Sequence, residues 1–545
     1  MNRERERMVG KDRRVRHKWI GAAALVWASW GLVGTLHAAT IIVTTTQDGP
    51  VGNVAGCSLR EAVHAINTQA NGNGCTNAST QAYGANDRIR FAAGVNNIAL
   101  TLLPNPLATS ALSIQRPVEI RGRGRATTII SGGGGEHILL DNATRLTLRS
   151  LSLVNAGTAL KNEASASATL LLVHASGHQR RAIINLGRMT LTLVRVTDNP
   201  GGGVANGNAT PVQSLGEIAQ SFVAMFCSNR DCCNNQCPGP VGNSGSSGPS
   251  FPVGQAPAGL VVTRSRIAGN GPIACAGIVN GGGMVQGSSG IGGIGNPLVD
   301  MKIEGALTLR QSRVSGNTAG AADGGGICNL SVAAIVKSEI SGNSAARGAG
   351  VLVRPATQTL TLNARPVTLI ADTTISSNVA SIAGGGIFAE SLGGSIRLQF
   401  TTITANSAGG GAAQHAGGVA TDSGVAIDAT ATVVAGNTAS AAAAANADCA
   451  STTLTGGHNF MPSSSSGTCS MSGANNQNSG NPGLGPLTAV TSATRAHVPI
   501  ATSVLVDRVP TSSGVCGGRD QRNLVRPRDG NGDGSASCDR GAVER

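Results

Sequence analysis

Aromatic side chains are scarce in this sequence. Phe, Tyr and Trp make up 2% of it, and all three Trp (Trp19, Trp27, Trp30) lie in the first 39 residues. Beyond them the chain has one Tyr, Tyr83, and seven Phe. Large cores, and platforms that stack sugars or bases, usually draw on Trp and Tyr. A chain of this length without them must be stabilised in another way. Charge is also thin, at 13% of residues. Basic residues are scattered singly, as in Arg121, Arg123 and Arg125, without the clustering and interleaved aromatics of a nucleic-acid surface. Nucleic acid is therefore not an expected partner.

What the chain has instead is glycine, 77 residues of it, with many Ala, Ser, Thr and Asn. That composition suits either disorder or a repetitive stack of short strands and tight turns.

Residues 1–39 read as a signal peptide. Eight basic residues against three acidic ones precede an uncharged apolar run from Trp19 to Leu36, and the small Ala38 and Ala39 follow. Setting these residues aside reduces Lys+Arg from 41 to 33 and Asp+Glu from 28 to 25, a net charge of about +8 for the remainder. The expected location is secreted or at the outer cell surface. Contact with a membrane would come only through the signal segment or an anchor that the sequence does not identify.

From Val196 onward one phrase recurs: a short strand, then Ile or Val, two residues, Asn, and a glycine cluster. The pairs are Val196/Asn199, Ile267/Asn270, Val314/Asn317, Ile340/Asn343, Ile375/Asn378, Ile403/Asn406 and Val434/Asn437. Period-two alternation lets one face of each strand point inward. A single coil cannot close a core, whereas stacked coils bury a continuous aliphatic column. An Asn at the same turn of successive coils can build an amide ladder, and the glycines allow positive φ at corners. The expected fold is all-β, a right-handed parallel β-helix of roughly ten to thirteen coils spaced at about 4.8 Å.

Ser58-Leu59-Arg60-Glu61 is a capping box, and Leu59, Ala62, Val63 and Ile66 follow at helical spacing. A short helix over 59–69 is therefore expected as a lid on the first coil.

Twelve Cys in an exported chain read as disulfides. The local candidates are Cys57 with Cys75, Cys449 with Cys469, and Cys516 with Cys538. The pairing of Cys227, Cys232, Cys233, Cys237, Cys275 and Cys328 stays open.

The stretch Cys57-Ser58-Leu59-Arg60-Glu61-Ala62, with Thr40–Thr46 before it, closely resembles the CSLREA domain, found at the N-terminus of exported bacterial β-helix proteins. The chain from Gly456-Gly457-His458-Asn459 to Cys538-Asp539-Arg540-Gly541-Ala542-Val543-Glu544 resembles the tail called choice-of-anchor Q. It departs from that tail at Asn523 and Val543, where the family usually has Gly and Phe, and at Val490-Thr491-Ser492, where an Asn-Gly-Gly turn is common. These resemblances imply a surface or secreted location and carry no established reaction. The resulting division is 1–39 signal peptide, 40–110 N-terminal cap and first strands, 111–450 coils with a Gly/Pro/Cys-rich insertion at 200–259, and 451–545 a disulfide-stapled C-terminal cap.

Asp529, Asn531 and Asp533, with Gly534, match the first half of a calcium loop. Arg540 stands where the bidentate Glu of an EF-hand would be. Calcium is thus the one cofactor the sequence suggests, set against a plain polar turn. Acids in the coil region are isolated along the chain, although residues such as Asp323 and Glu390 can meet on stacked coils. No catalytic residue is assigned. The expected function is a non-catalytic, adhesin-like scaffold that binds an extracellular polysaccharide or another cell surface. The alternatives are a polysaccharide lyase or glycoside hydrolase of the β-helix type and a purely structural surface component.

Overall fold

In a computed structural model the described residues are 38–72, 74–100, 110–207, 258–281, 305–354, 366–390, 395–410, 415–422, 425–440, 447–462 and 469–545. The proposed signal, most of the insertion and its four Cys lie outside them.

Parallel strands stack in three faces to form a β-helix. The first and second faces are joined in a 23-stranded sheet; the third is an 11-stranded sheet running from Ser110–Ile114 to Cys449–Ala450. On the first face Ile120, Leu148, Leu170, Leu191, Val262, Leu309, Ile335, Ile370 and Leu398 follow one another in register, each fully buried. The second face contributes Val196, Ile267, Val314, Ile340, Ile375, Ile403 and Val434, the aliphatic residues of the recurring phrase. The third contributes Ile183, Val204, Ile278, Ile327, Val351, Ile387 and Val419. Burying one such side chain stabilises by about 1.5–3 kcal/mol, so a narrow aliphatic column takes the place of an aromatic core.

At the end of the second face the expected ladder forms. Asn199, Asn270, Asn317, Asn343, Asn378, Asn406 and Asn437 each donate from Nδ2 to Oδ1 of the next, the last to Asp448, at 2.8–2.9 Å. The second proton of each amide goes to a carbonyl of the preceding coil, as from Asn343 to Val314 at 3.1 Å. Each Oδ1 along the row also accepts a backbone N–H, as Asn378 does from Asn343 at 3.0 Å. Every polar valence of these buried amides is thereby used, which removes the cost of placing them in the interior.

The glycine cluster has two roles. Gly384, at φ 64°, supplies a left-handed corner. Gly386 is required for space: a Cβ there would lie 2.6 Å from the carbonyl oxygen of Gly418 in the next coil.

The N-terminal helix spans Leu59–Thr68 and carries the capping box as expected: Ser58 Oγ accepts from Glu61 N, and Glu61 accepts from Ser58 N. All six residues of the Cys57–Ala62 motif serve the fold. Cys57 pairs with Cys75, Leu59 and Ala62 are buried, and Arg60 forks onto Asp48 at 2.8 and 2.9 Å. The helix is tied to the first coil where Asn67 donates to the Ser113 carbonyl.

Disulfides join Cys449 to Cys469 and Cys516 to Cys538; a fourth joins Cys275 to Cys328 across adjacent coils. The tail does more than close the end of the stack. It runs back over the outer side of the second face, where Gly541 N reaches the Ala431 carbonyl, Gln521 bonds Thr374, His497 bonds Ser376, and Arg495 reaches Glu339.

Candidate functional site

The acids that are scattered in sequence meet on the outer side of the third face. Arg354, Glu390 and Asp422 each directly follow a strand of that face, and the registers Val353 to Ala389 and Ala389 to Thr421 place them one above another. Arg354 bonds Asp323 at 2.8 Å and Glu390 at 2.9 Å. Burial alone would pull the Arg354 guanidinium down; its bonds to Glu390 and Asp323 hold it above its ordinary value instead. The Asp422 carboxyl is raised, first by burial, with Glu390 and Asp323 adding and Arg347 and Arg354 opposing. Arg347 also stacks on Phe388, 5.5 Å from the ring centre. The meeting of Asp323 and Glu390 across coils thus takes place, through one shared arginine.

Chemically, the carboxylates of Asp323 and Glu390 are both taken up by the one Arg354 guanidinium. A glycosidase pair needs two carboxyl groups facing the scissile bond, one protonated. Asp422, exposed and raised, is the acid of this group with the matching tendency.

Asp529, Asn531 and Asp533 form a turn whose oxygens are engaged by its own backbone. Asp529 accepts from Gly532, Asp533 and Gly534, Asn531 accepts from Asp533 N, and Asp533 accepts from Ser535 N. Asp507 closes the loop by accepting from Gly530 and Asn531. Among the described residues no group of three or more His, Cys, Asp and Glu is arranged to hold a metal ion.

The second face is covered unevenly. From Glu339 onward the tail lies on it; near its start, loop 122–127 lies on it, with Ser152 Oγ bonded to the Arg125 carbonyl at 2.7 Å. Between these two covers the outward positions are His174, Arg195, Arg266 and Arg313, partners in register on four successive coils, with Glu339 next in line. Arg195 and Arg266 are exposed and, among the described residues, have no side-chain hydrogen bond or ion pair. Sequence reading missed this row because the basic residues were taken singly and not by their place in the recurring phrase. Its signal was nonetheless present: each Arg stands one residue before the aliphatic of the recurring phrase.

His178 is fully buried just beyond the strand that ends at Ser176, with Nε2 3.0 Å from the Leu153 carbonyl. Burial lowers it to about 4.

No helix of the described residues is long and apolar enough to cross a membrane. Searches found no family model and no curated protein that matches the chain. Among solved structures the chain is similar to ORF18 of Geobacillus virus E2, with 10% identity and a TM-score of 0.29 over 80% of this chain. The match covers 60% of that viral chain, and a likeness this distant carries no argument about function.

Proposed function

We propose that this is an exported, surface-exposed or secreted β-helix scaffold of the CSLREA type that binds an extracellular polysaccharide or another cell surface without turning it over. The observation that carries the reading is the stretch of the second face that, among the described residues, nothing covers. The tail and loop 122–127 shield its two ends, while between them stand the exposed guanidiniums of Arg195 and Arg266, which have no partner among the described residues. Four disulfides fit an oxidising compartment, and the apolar N-terminal run supports export. The test is to purify the chain from an oxidising compartment and present it with a polysaccharide panel and with whole cells, recording retention and release of reducing or unsaturated ends. Retention without release supports the scaffold.

A glycan-cleaving enzyme is the second reading, favoured by the gathering of Asp323, Glu390 and Asp422 around Arg354. New chain ends that disappear in Asp323→Asn and Glu390→Gln would establish it. Calcium at Asp529, Asn531 and Asp533 is read from the same preparation. A melting temperature lowered by chelator indicates a bound ion; an unchanged one assigns the turn to structure alone.

A further inference from the structure

We infer that His174, Arg195, Arg266 and Arg313 form a rail for a linear acidic polysaccharide, laid along the axis of the helix with carboxylate or sulfate groups on successive sugars. This deepens the scaffold reading and rests on it.

The spacing comes from the fold itself. Parallel strands in register set equivalent Cα atoms about 4.8 Å apart, so Arg195, Arg266 and Arg313 present cations at a repeat comparable to one pyranose unit. A flat lipid surface would need a two-dimensional spread of charge, and single-stranded nucleic acid would look for aromatic stacking partners. A one-dimensional row without aromatics suits neither.

The surroundings strengthen the same sign. Arg264 stands at the corner beside the row, held by Gln311 at 3.2 Å, and the exposed Arg310 lies at the adjoining edge of the first face. Arg125 reaches in from loop 122–127 to the Leu193 carbonyl at 3.4 Å. Its pKa is lowered by burial and then by the charge of Arg195; that of His174 is lowered by burial, then by Arg195 and Arg125. Among the described residues the acids bordering the row are Asp198 and Glu339, and Glu339 is already answered by Arg313 at 2.7 Å and Arg495 at 2.7 Å. Among the described residues the row therefore carries more guanidinium than carboxylate, and a surface run of one sign raises the local concentration of anions. Arginine is also the side chain whose fork matches a carboxylate or sulfate in two-point fashion.

The row also has defined ends. It starts where loop 122–127 covers Ser152 and stops where the tail brings Arg495 onto Glu339. In that last contact Arg495 gives both Nε and Nη2 to one oxygen of Glu339, at 2.8 and 2.7 Å.

The test uses the full exported chain with polygalacturonate, which carries one carboxylate per sugar. Neutral dextran, duplex DNA and anionic phospholipid vesicles serve as comparisons. Arg195→Gln/Arg266→Gln is set beside Arg121→Gln/Arg188→Gln, which removes the same charge from exposed positions of the first face. Unchanged melting temperatures show that both variants fold. Polygalacturonate should bind in a salt-dependent way and dextran should not. The row variant should lose about tenfold or more in affinity, with the dependence on salt falling by about two charges, while the first-face variant loses little. Equal losses in the two variants would overturn the rail, as would DNA or vesicles binding as well as polygalacturonate with the same sensitivity. If polygalacturonate fails to bind while another polymer or a cell surface is retained, the rail falls and the scaffold reading stands. Release of new chain ends would instead remove the scaffold reading.

Discussion

Asn437 donates from Nδ2 to Oδ1 of Asp448 at 2.9 Å, and its backbone N–H reaches the same oxygen at 3.0 Å. The amide ladder, in which every member accepts from one neighbour and donates to the next, therefore ends on a group that only accepts. An eighth Asn would leave an amide proton pair to be satisfied at the end of the row; a carboxylate removes that requirement.

Replacing Asp448 tests this termination. Asp448→Ala strips the acceptor from two buried donors of Asn437, and hydrogen bonds to a charged group are worth about 1.5–3 kcal/mol each way of counting. A loss of about 2 kcal/mol in unfolding free energy is expected in denaturant titrations followed by far-UV circular dichroism. Asp448→Asn keeps the acceptor and should lose less than half of that. Equal losses would show that the ladder does not depend on its terminal acceptor.

The residue before each ladder Asn sits in the left-handed region. Gly316, Gly342 and Gly436 have φ of 63°, 62° and 70°, but the same position in another coil is Ala405 at 55°. Left-handed φ costs an L-residue about 1–2 kcal/mol, partly offset by the greater freedom of glycine in the unfolded chain. Ala405→Gly should therefore stabilise by about 0.5–1 kcal/mol. Gly342→Ala should destabilise by a similar amount, since a Cβ there meets no atom within 4 Å and only the backbone conformation is at issue. A higher melting temperature for the first variant and a lower one for the second are the expected readings. The opposite order would place the cost elsewhere in the turn.

The inward columns and the first amide ladder were legible because their residues recur in one local phrase, whatever loops intervene. A second ladder was not. Asn142, Asn162, Asn185, Asn206, Asn280 and Asn329 bond in series at the end of the third face, finishing on Thr368. Its signal is an aliphatic, any residue, then Asn after the glycine cluster, and later coils hide it by placing Val353, Ala389 and Thr421 there. A third column of hydroxyls, Ser265, Ser312, Ser338 and Thr373, joins each residue to the backbone of the preceding coil. Single hydroxyls carry no signal in a chain so rich in Ser and Thr. The course of the tail was equally hidden: Arg495 and Glu339 are 156 residues apart, and no periodicity relates them. Contacts that follow from stacking can be read once the register is known, whereas those made by a non-repeating strap cannot.

His178 stands at the head of the first ladder, and there pH should act. Its backbone N–H donates to Asn199 Oδ1 at 3.1 Å, and its Nε2 faces the Leu153 carbonyl much as Asn199 Nδ2 faces that of Ala175. A carbonyl only accepts, so Nε2 carries a proton and donates it to Leu153. Burial lowers the pKa from 6.5 to about 4. The folded state thus binds a proton less readily than the unfolded chain. Its stability is complete above pH 6.5 and falls as the pH drops toward 4, by on the order of 3 kcal/mol from this group. His178→Gln keeps a donor for the Leu153 carbonyl and removes the titration. Unfolding free energies measured at steps between pH 7 and pH 4 should fall more steeply for the native chain than for the variant. Parallel curves would mean that His178 is not the group through which acid loosens this coil, and would move attention to the other buried titratable groups.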